Sequence, residues 1–421
     1  MYKYEQLISA IKLSCLSCLL VAVSIVTVHT ATFTVGSSAD SHDLTPGNGK
    51  CLDSLSRCTL RAAVEEATAY TISKSDTILF NGNLNYQTIT LNSSYTDIDI
   101  TSNIVIDATG WVNLSVSGNN AIRIFKIDGD NSVTLRGFTI RNGSAEIGGG
   151  VFALNRNLTL ENMKFLNNYA DHGAGIYREE SNLPQTTTIN NSTFDSNNAG
   201  IAGGGAGFGG VGTYAISGSA FSNNTCIHGC GFSVVDATLT MVNSTIANNT
   251  SPYYGGEGGA IFLVTYNSFS SGMKTLRNVT IAGNSAYYES GIARSKPNVN
   301  NLTLANTIIA NKFPSVGCVD VCGSVISLGN NLIRYRSQSS GYIDSDLPDG
   351  TEPMLGPLQF NGGTTKTHAL LAVSPAINAG NNLEALNTDN FTPLTTDQRG
   401  IGYSRILNSI VDIGAYETSA P

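Results

Sequence analysis

The sequence predicts an all-β chain built as a right-handed parallel β-helix, a solenoid. Two observations predict it: an internal repeat and a turn-rich composition. The 421 residues include 44 glycines and 43 asparagines, and only 13% are charged, about half the usual share. Such a chain is too apolar and too weakly charged to be disordered. Its glycines follow no G-X-Y period, which excludes collagen. The net charge of −8 lacks the basic surplus that phosphate contacts need, so nucleic acid is not an expected partner.

The repeat aligns on one apolar residue per unit: Ile140, Phe165, Phe194, Phe221, Ile246, Ile281 and Ile309, in steps of 25 to 35 residues. Five residues earlier stands a second apolar residue, from Leu135 and Leu160 to Leu304. Asparagine recurs three residues before the anchor (Asn162, Asn191, Asn243, Asn278, Asn306) and three after it (Asn168, Asn197, Asn224, Asn249, Asn284). Each unit opens with an alternating strand such as LTLENMKF, the period of two of a half-buried strand. One unit cannot bury its apolar edge alone, but coils stacked about 4.8 Å apart pair every strand with the next. Asparagines at equal offsets are expected to exchange amide hydrogen bonds, and glycine and asparagine to supply positive-φ corners. Roughly ten coils give a rod on the order of 45–50 Å. Propeller blades need about 40–45 residues each and do not fit.

Taken in order, residues 1–31 read as a signal peptide or N-terminal anchor. The uncharged run from Leu13 to Val28 is shorter than the roughly 20 residues of a membrane span. A membrane contact is expected only through this segment, if it is not cleaved. Residues 32–75 read as an N-terminal cap. Leu60, Ala63, Val64 and Ala67 have the spacing of an amphipathic helix, with Thr59 placed to cap it and the helix covering an open sheet edge. Residues 76–340 hold the repeats. Residues 341–421 form a specialised closing segment. Beyond the leader, six cysteines fall in near pairs, Cys51 with Cys58, Cys226 with Cys230 and Cys318 with Cys322. An even count in an exported chain points to disulfides, and the spacings do not match a zinc pattern.

The stretch from Cys58 to Ala63, CTLRAA, resembles the signature of the CSLREA domain of bacterial surface and secreted proteins. Farther on, Leu355-Gly356-Pro357-Leu358, Asn361-Gly362-Gly363-Thr364, Ser374 to Gly380, Asp397-Gln398-Arg399-Gly400 and Asp412 to Glu417 follow in order. This run resembles the choice-of-anchor Q domain. The repeats, with Gly258-Gly259-Ala260-Ile261 and Phe165-x-x-Asn168, resemble polymorphic outer-membrane proteins and related adhesins. These resemblances imply a secreted, extracellular or cell-envelope protein. Only four residues follow Glu417, which favours free secretion over C-terminal anchoring.

Catalysis on a solenoid needs charged groups on neighbouring coils at similar offsets. The candidates are Asp171, His172 and His228. The two histidines share an offset but are separated by the coil of Phe194, where Ile201 is expected between them. Asp195 and Glu257 show no evident partner. Asp344, Asp346 and Asp349 offer oxygen ligands for calcium, but their spacing is not that of an EF-hand, so no metal or other cofactor is expected. Arg399 is expected to pair with Asp412 or Glu417, and His368 to pack in the core. Tyr253, Tyr254, Tyr287 and Tyr288 are candidates to stack on sugar rings. The leading expectation is an adhesin-like rod without catalysis that binds an extracellular glycan or surface protein. A polysaccharide lyase or glycoside hydrolase is the alternative, and a structural envelope component the third. An enzyme requires two acids, or an acid and a base, within reach on adjacent coils. An adhesin requires exposed aromatics without such a cluster.

Overall fold

A computed structural model describes residues 30–69, 75–111, 113–179, 185–266, 272–296, 299 and 301–419. The expected leader, up to residue 29, lies outside them. Among the described residues no helix is long and apolar enough to cross a membrane.

The chain winds as a parallel β-solenoid with three strand ladders. The first ladder runs through Thr32–Val35, Ser75–Phe80, Asn103–Asp107 and the later parts of Phe125–Arg136 and Val151–Glu161. It continues through Thr186–Asn190, Thr213–Ser217, Thr238–Ala247, Lys274–Ala282, Leu302–Ala305 and Ile326–Ser327. Every one of these pairings is parallel and in register. Thus Leu160 lies beside Ile189, Ile189 beside Ile216 and Ile216 beside Met241. The second ladder carries the repeat anchors: Ile140, Phe165, Phe194, Phe221, Ile246, Ile281 and Ile309 pair in succession. The third ladder links Ile98–Ile100, Phe125–Ile127, Val151–Ala153, Ile176–Arg178, Ala206–Phe208, Phe232–Val235, Ile261–Val264 and Ile292–Arg294.

The repeated apolar positions are fully buried in one core. Phe165, Phe194 and Phe221 stack with near-parallel rings, 4.6 and 4.5 Å between centroids, as the coil spacing requires. The helix Leu60–Ala69 adds Leu60, Ala63, Val64 and Ala67 to that core. Thr59 Oγ1 accepts the Ala62 N–H, the expected cap.

The two asparagine columns have different jobs. The column after the anchor is a buried amide ladder. Asn197 donates its backbone N–H and one side-chain N–H to Asn224 Oδ1 (2.9 and 3.0 Å), and its other side-chain N–H to Phe165 O (2.9 Å). Asn168, Asn224, Asn249 and Asn284 repeat the pattern. The column before the anchor turns the corner between the first two ladders. Asn162, Asn191, Asn243, Asn278 and Asn306 all have φ between 44° and 54°, and Gly137 and Gly218 hold the same place with φ of 81° and 60°. Their side chains face outward, and no amide exchange runs along them.

Residues 341–419 do more than close the end. After the antiparallel hairpin of Leu355–Gln359 and Thr367–Leu370, the segment lies back along the corner column. Asn330 Nδ2 donates to Ala379 O (2.8 Å), Asn306 Nδ2 to Asn381 O (2.9 Å) and Asn243 Nδ2 to Thr396 O (2.6 Å). Thr365 Oγ1 reaches Gly218 O (3.0 Å), and Lys366 pairs with Asp195 (2.9 Å). Arg399 is held by Asp397 (2.6 Å) between the rings of Tyr403 and Tyr416, and donates to the Glu417 carbonyl. The expected Arg399 pairing with an Asp412 or Glu417 carboxylate is therefore replaced. Arg405 takes the Glu417 carboxylate instead, at 2.9 Å and fully buried. His368 is buried with Nδ1 2.7 Å from Gly356 O.

Candidate functional site

Three disulfides form as paired in the sequence: Cys51–Cys58, Cys226–Cys230 and Cys318–Cys322. The last two pin the corners leading toward the third ladder. Those corners carry one outward column, linked by parallel bridges: Ile147 with His172, Ala202 with His228, His228 with Glu257 and Glu257 with Glu289. His172 also pairs with Ala202, not Ile201, because the register shifts between Ala170 and His172. Ile201 is pushed outward and exposed. His172 and His228 are thus two coil steps apart, roughly 9–10 Å, and Asp171 lies beside His172 alone. The structure does not bring these three sequence candidates into one cluster.

It does bring together a group only half legible in the sequence. His228, Glu257 and Glu289 occupy successive coils. Burial, and next the charge of Glu257, push the Glu289 carboxyl up to about 7. Burial lowers the His228 pKa against the opposing pull of Glu257. Beside this column stand the tyrosines. The ring of Tyr254 lies 4.7 Å from Tyr287 and 6.5 Å from Tyr288, and Tyr287 and Tyr288 are 5.0 Å apart. A hydrogen bond with Tyr254 raises the Tyr288 pKa. Tyr254 is 80% exposed, so the cluster presents an aromatic face to solvent. Tyr253 is exposed but lies outside the ring contacts.

Glu289 also approaches Cys318 and Cys322, with ligand atoms of all three within 4.8 Å of one another. The cysteines are joined as a disulfide and present no thiolate, the form a metal needs. The calcium candidates do not converge. Asp346 is buried, its oxygens accepting the Asn331 N–H groups and the Ile343 N–H. Asp349 accepts the Arg336 N–H, and Asp344 is exposed.

Glu289 escaped the sequence reading for a definite reason. Counting forward from the anchors misplaces it, because the loop between the second and third ladders varies in length. Counting back from the third-ladder strand works better. His172, Ala202, His228 and Glu257 each stand four residues before Ile176, Ala206, Phe232 and Ile261, and Glu289 stands three before Ile292.

The folded Glu289 keeps its proton up to about pH 7, whereas the unfolded residue releases it near 4.3. Stability linked to this group is therefore present in acid and lost as pH rises through about 7. Because the side chain is only partly buried, solvent screening limits the effect to about 1 kcal/mol. Glu289→Gln is expected to raise stability by that amount at about pH 8.5 and to change nothing at about pH 3.5, below the unfolded pKa. Urea unfolding at both pH values measures it.

Comparison with protein-family models and with curated proteins finds no match. Among solved structures, the pectate lyase Pel9A is similar to this chain at 15% identity with a TM-score of 0.48. The match covers 93% of this chain and 98% of that one. The fold assignment rests on the strand pairing itself.

Proposed function

We propose that this is an extracellular glycan-binding β-helix protein whose contact face is the tyrosine cluster of Tyr254, Tyr287 and Tyr288. The observation that carries the reading is the convergence of these rings from adjacent coils on an exposed surface. Aromatic faces with hydroxyl tips suit sugar rings, which are apolar on one side and polar at the edge. Three short-range disulfides fit an oxidising, extracellular setting. The motif resemblances to secreted bacterial surface proteins and adhesins point the same way.

A second reading, glycoside hydrolysis, is favoured by one observation. Glu257 and Glu289 are carboxylates on neighbouring coils beside the tyrosines, and Glu289 stays protonated near neutral pH. Two carboxyl groups side by side, one of them with a raised pKa, are what general acid catalysis at a glycosidic bond requires.

One experiment tests both readings. Acidic and neutral polysaccharides are offered to the purified protein, and binding and reducing-end release are followed together. Binding is expected to weaken at least tenfold in Tyr254→Ala/Tyr288→Ala, and an unchanged affinity would sink the proposal. Release without unsaturated sugar ends that vanishes in Glu289→Gln, and falls in the wild type as pH rises through about 7, would establish hydrolysis. Binding without release would leave the non-catalytic reading standing.

A further inference from the structure

The corner column offers a second recognition surface, far from the tyrosines. Its later positions, from Gly218 to Asn330, are covered by the returning C-terminal segment. There Asn243, Asn306 and Asn330 read main-chain amide groups of the segment. Asn306 does so from both sides, donating from Nδ2 to Asn381 O (2.9 Å) and accepting the Asn381 N–H at Oδ1 (2.8 Å).

The segment's hairpin tip, Phe360 to Lys366, ends this cover near Asp195. Beyond it the same column continues into an open groove of about 460 Å³, a volume within the range of ligand pockets. Trp111 and Phe138 form its apolar wall and Phe360 its lip, with Asn162 and Asn191 along the floor. These two asparagines have φ of 54° and 50°, against 48° for Asn306, and both are exposed. Their side chains therefore leave the same backbone geometry as Asn306, with no protein amide laid across them.

The lining fixes the ligand class. Around the aromatic rings it offers neutral amides and hydroxyls, one cation, Lys164, and no acid among the described residues. A polyanion would want more cations, and a basic peptide would want acids. Aromatic rings with neutral amides suit an uncharged sugar, and an amide reader suits an acetamido group, which carries the N–H and C=O that Asn306 reads on Asn381. We propose that this groove is a second binding site, for a neutral N-acetylated oligosaccharide. It stands independently of the tyrosine cluster.

Trp111 is the only tryptophan in the chain, so its emission reports this groove and not the tyrosine site. The full chain is titrated with a tetramer of β-1,4-linked N-acetylglucosamine and, in parallel, with the matching glucose tetramer. A saturable emission change with the acetylated tetramer is expected, at an affinity at least tenfold above that for the glucose tetramer. Asn162→Gly/Asn191→Gly keeps the positive-φ corners, as Gly137 and Gly218 do naturally, and circular dichroism verifies the fold. This variant is expected to lose at least tenfold in affinity. No saturable change, equal response to the two tetramers, or unchanged affinity in the glycine variant each overturns the proposal.

Discussion

Replacing Asn224 with alanine is expected to lower stability by about 4 kcal/mol, because it breaks the amide ladder in the middle of the rod. Asn224 is fully buried and all its side-chain capacity is in use. Its Oδ1 accepts the backbone and side-chain N–H groups of Asn197 (2.9 and 3.0 Å), and its Nδ2 donates to Phe194 O (3.0 Å) and Asn249 Oδ1 (2.9 Å). Alanine leaves two buried donors on Asn197 without an acceptor. Each such group costs about 1–3 kcal/mol, and the vacated space adds a cavity cost. The thermal midpoint and urea midpoint measure the loss. A drop below about 1 kcal/mol would mean that the strand ladders, not the amides, hold the coils in register.

The ladder also has a direction, which its last member explains. Every asparagine passes its backbone N–H and one side-chain N–H to the next coil, so on that side the final position needs only to accept. Asp320 stands there. Its Oδ1 accepts the backbone N–H (2.7 Å) and side-chain N–H (3.2 Å) of Asn311, and its Oδ2 accepts the Tyr335 N–H (2.8 Å). A short second column ends alike, with Asn331 donating to buried Asp346. Burial pushes the Asp320 carboxyl up to about 6 against these hydrogen bonds. An aspartate in the middle, at position 224, would instead turn an acceptor toward Phe194 O and Asn249 Oδ1.

The anchors, the inward apolar ladder and the asparagines after each anchor share fixed offsets, since strands of equal length stack residue on residue. The asparagines before each anchor have equally regular spacing, yet serve another purpose. Spacing reports that a corner needs positive φ, not which way the amide points. The acid column was half hidden because the loop carrying it changes length from coil to coil. The path of the C-terminal segment was hidden altogether. Its hooks join residues 49 to 171 positions apart in sequence, and no periodicity links them.

The second large effect falls on that segment. Arg405→Met is expected to detach it from the flank at a cost of about 3–5 kcal/mol, while the coils beneath stay folded. Arg405 is fully buried and donates to Asn243 Oδ1 (3.1 Å), Gly414 O (3.1 Å), Asp412 O (3.0 Å) and Glu417 Oε2 (2.9 Å). It thereby ties the corner column, the segment's own turn and the Glu417 carboxylate into one knot. Removing the guanidinium leaves the Glu417 carboxyl, which burial pushes up to about 7 even beside Arg405, still holding the Leu407 and Asp412 N–H groups (both 2.9 Å) but without its cation. Most of the cost comes from holding that carboxyl without a cation, as an unpaired charge or by forced protonation, so Arg405→Met/Glu417→Gln is expected to recover a good part of it. Hydrogen exchange reads the result directly. Amides from Ala379 to Thr418 should lose protection in the single variant and regain it in the double, while the ladder amides of Asn168 to Asn249 stay protected throughout. Loss of protection spread evenly over the coils would mean that the segment is part of the solenoid's cooperative core and not a strap laid on it.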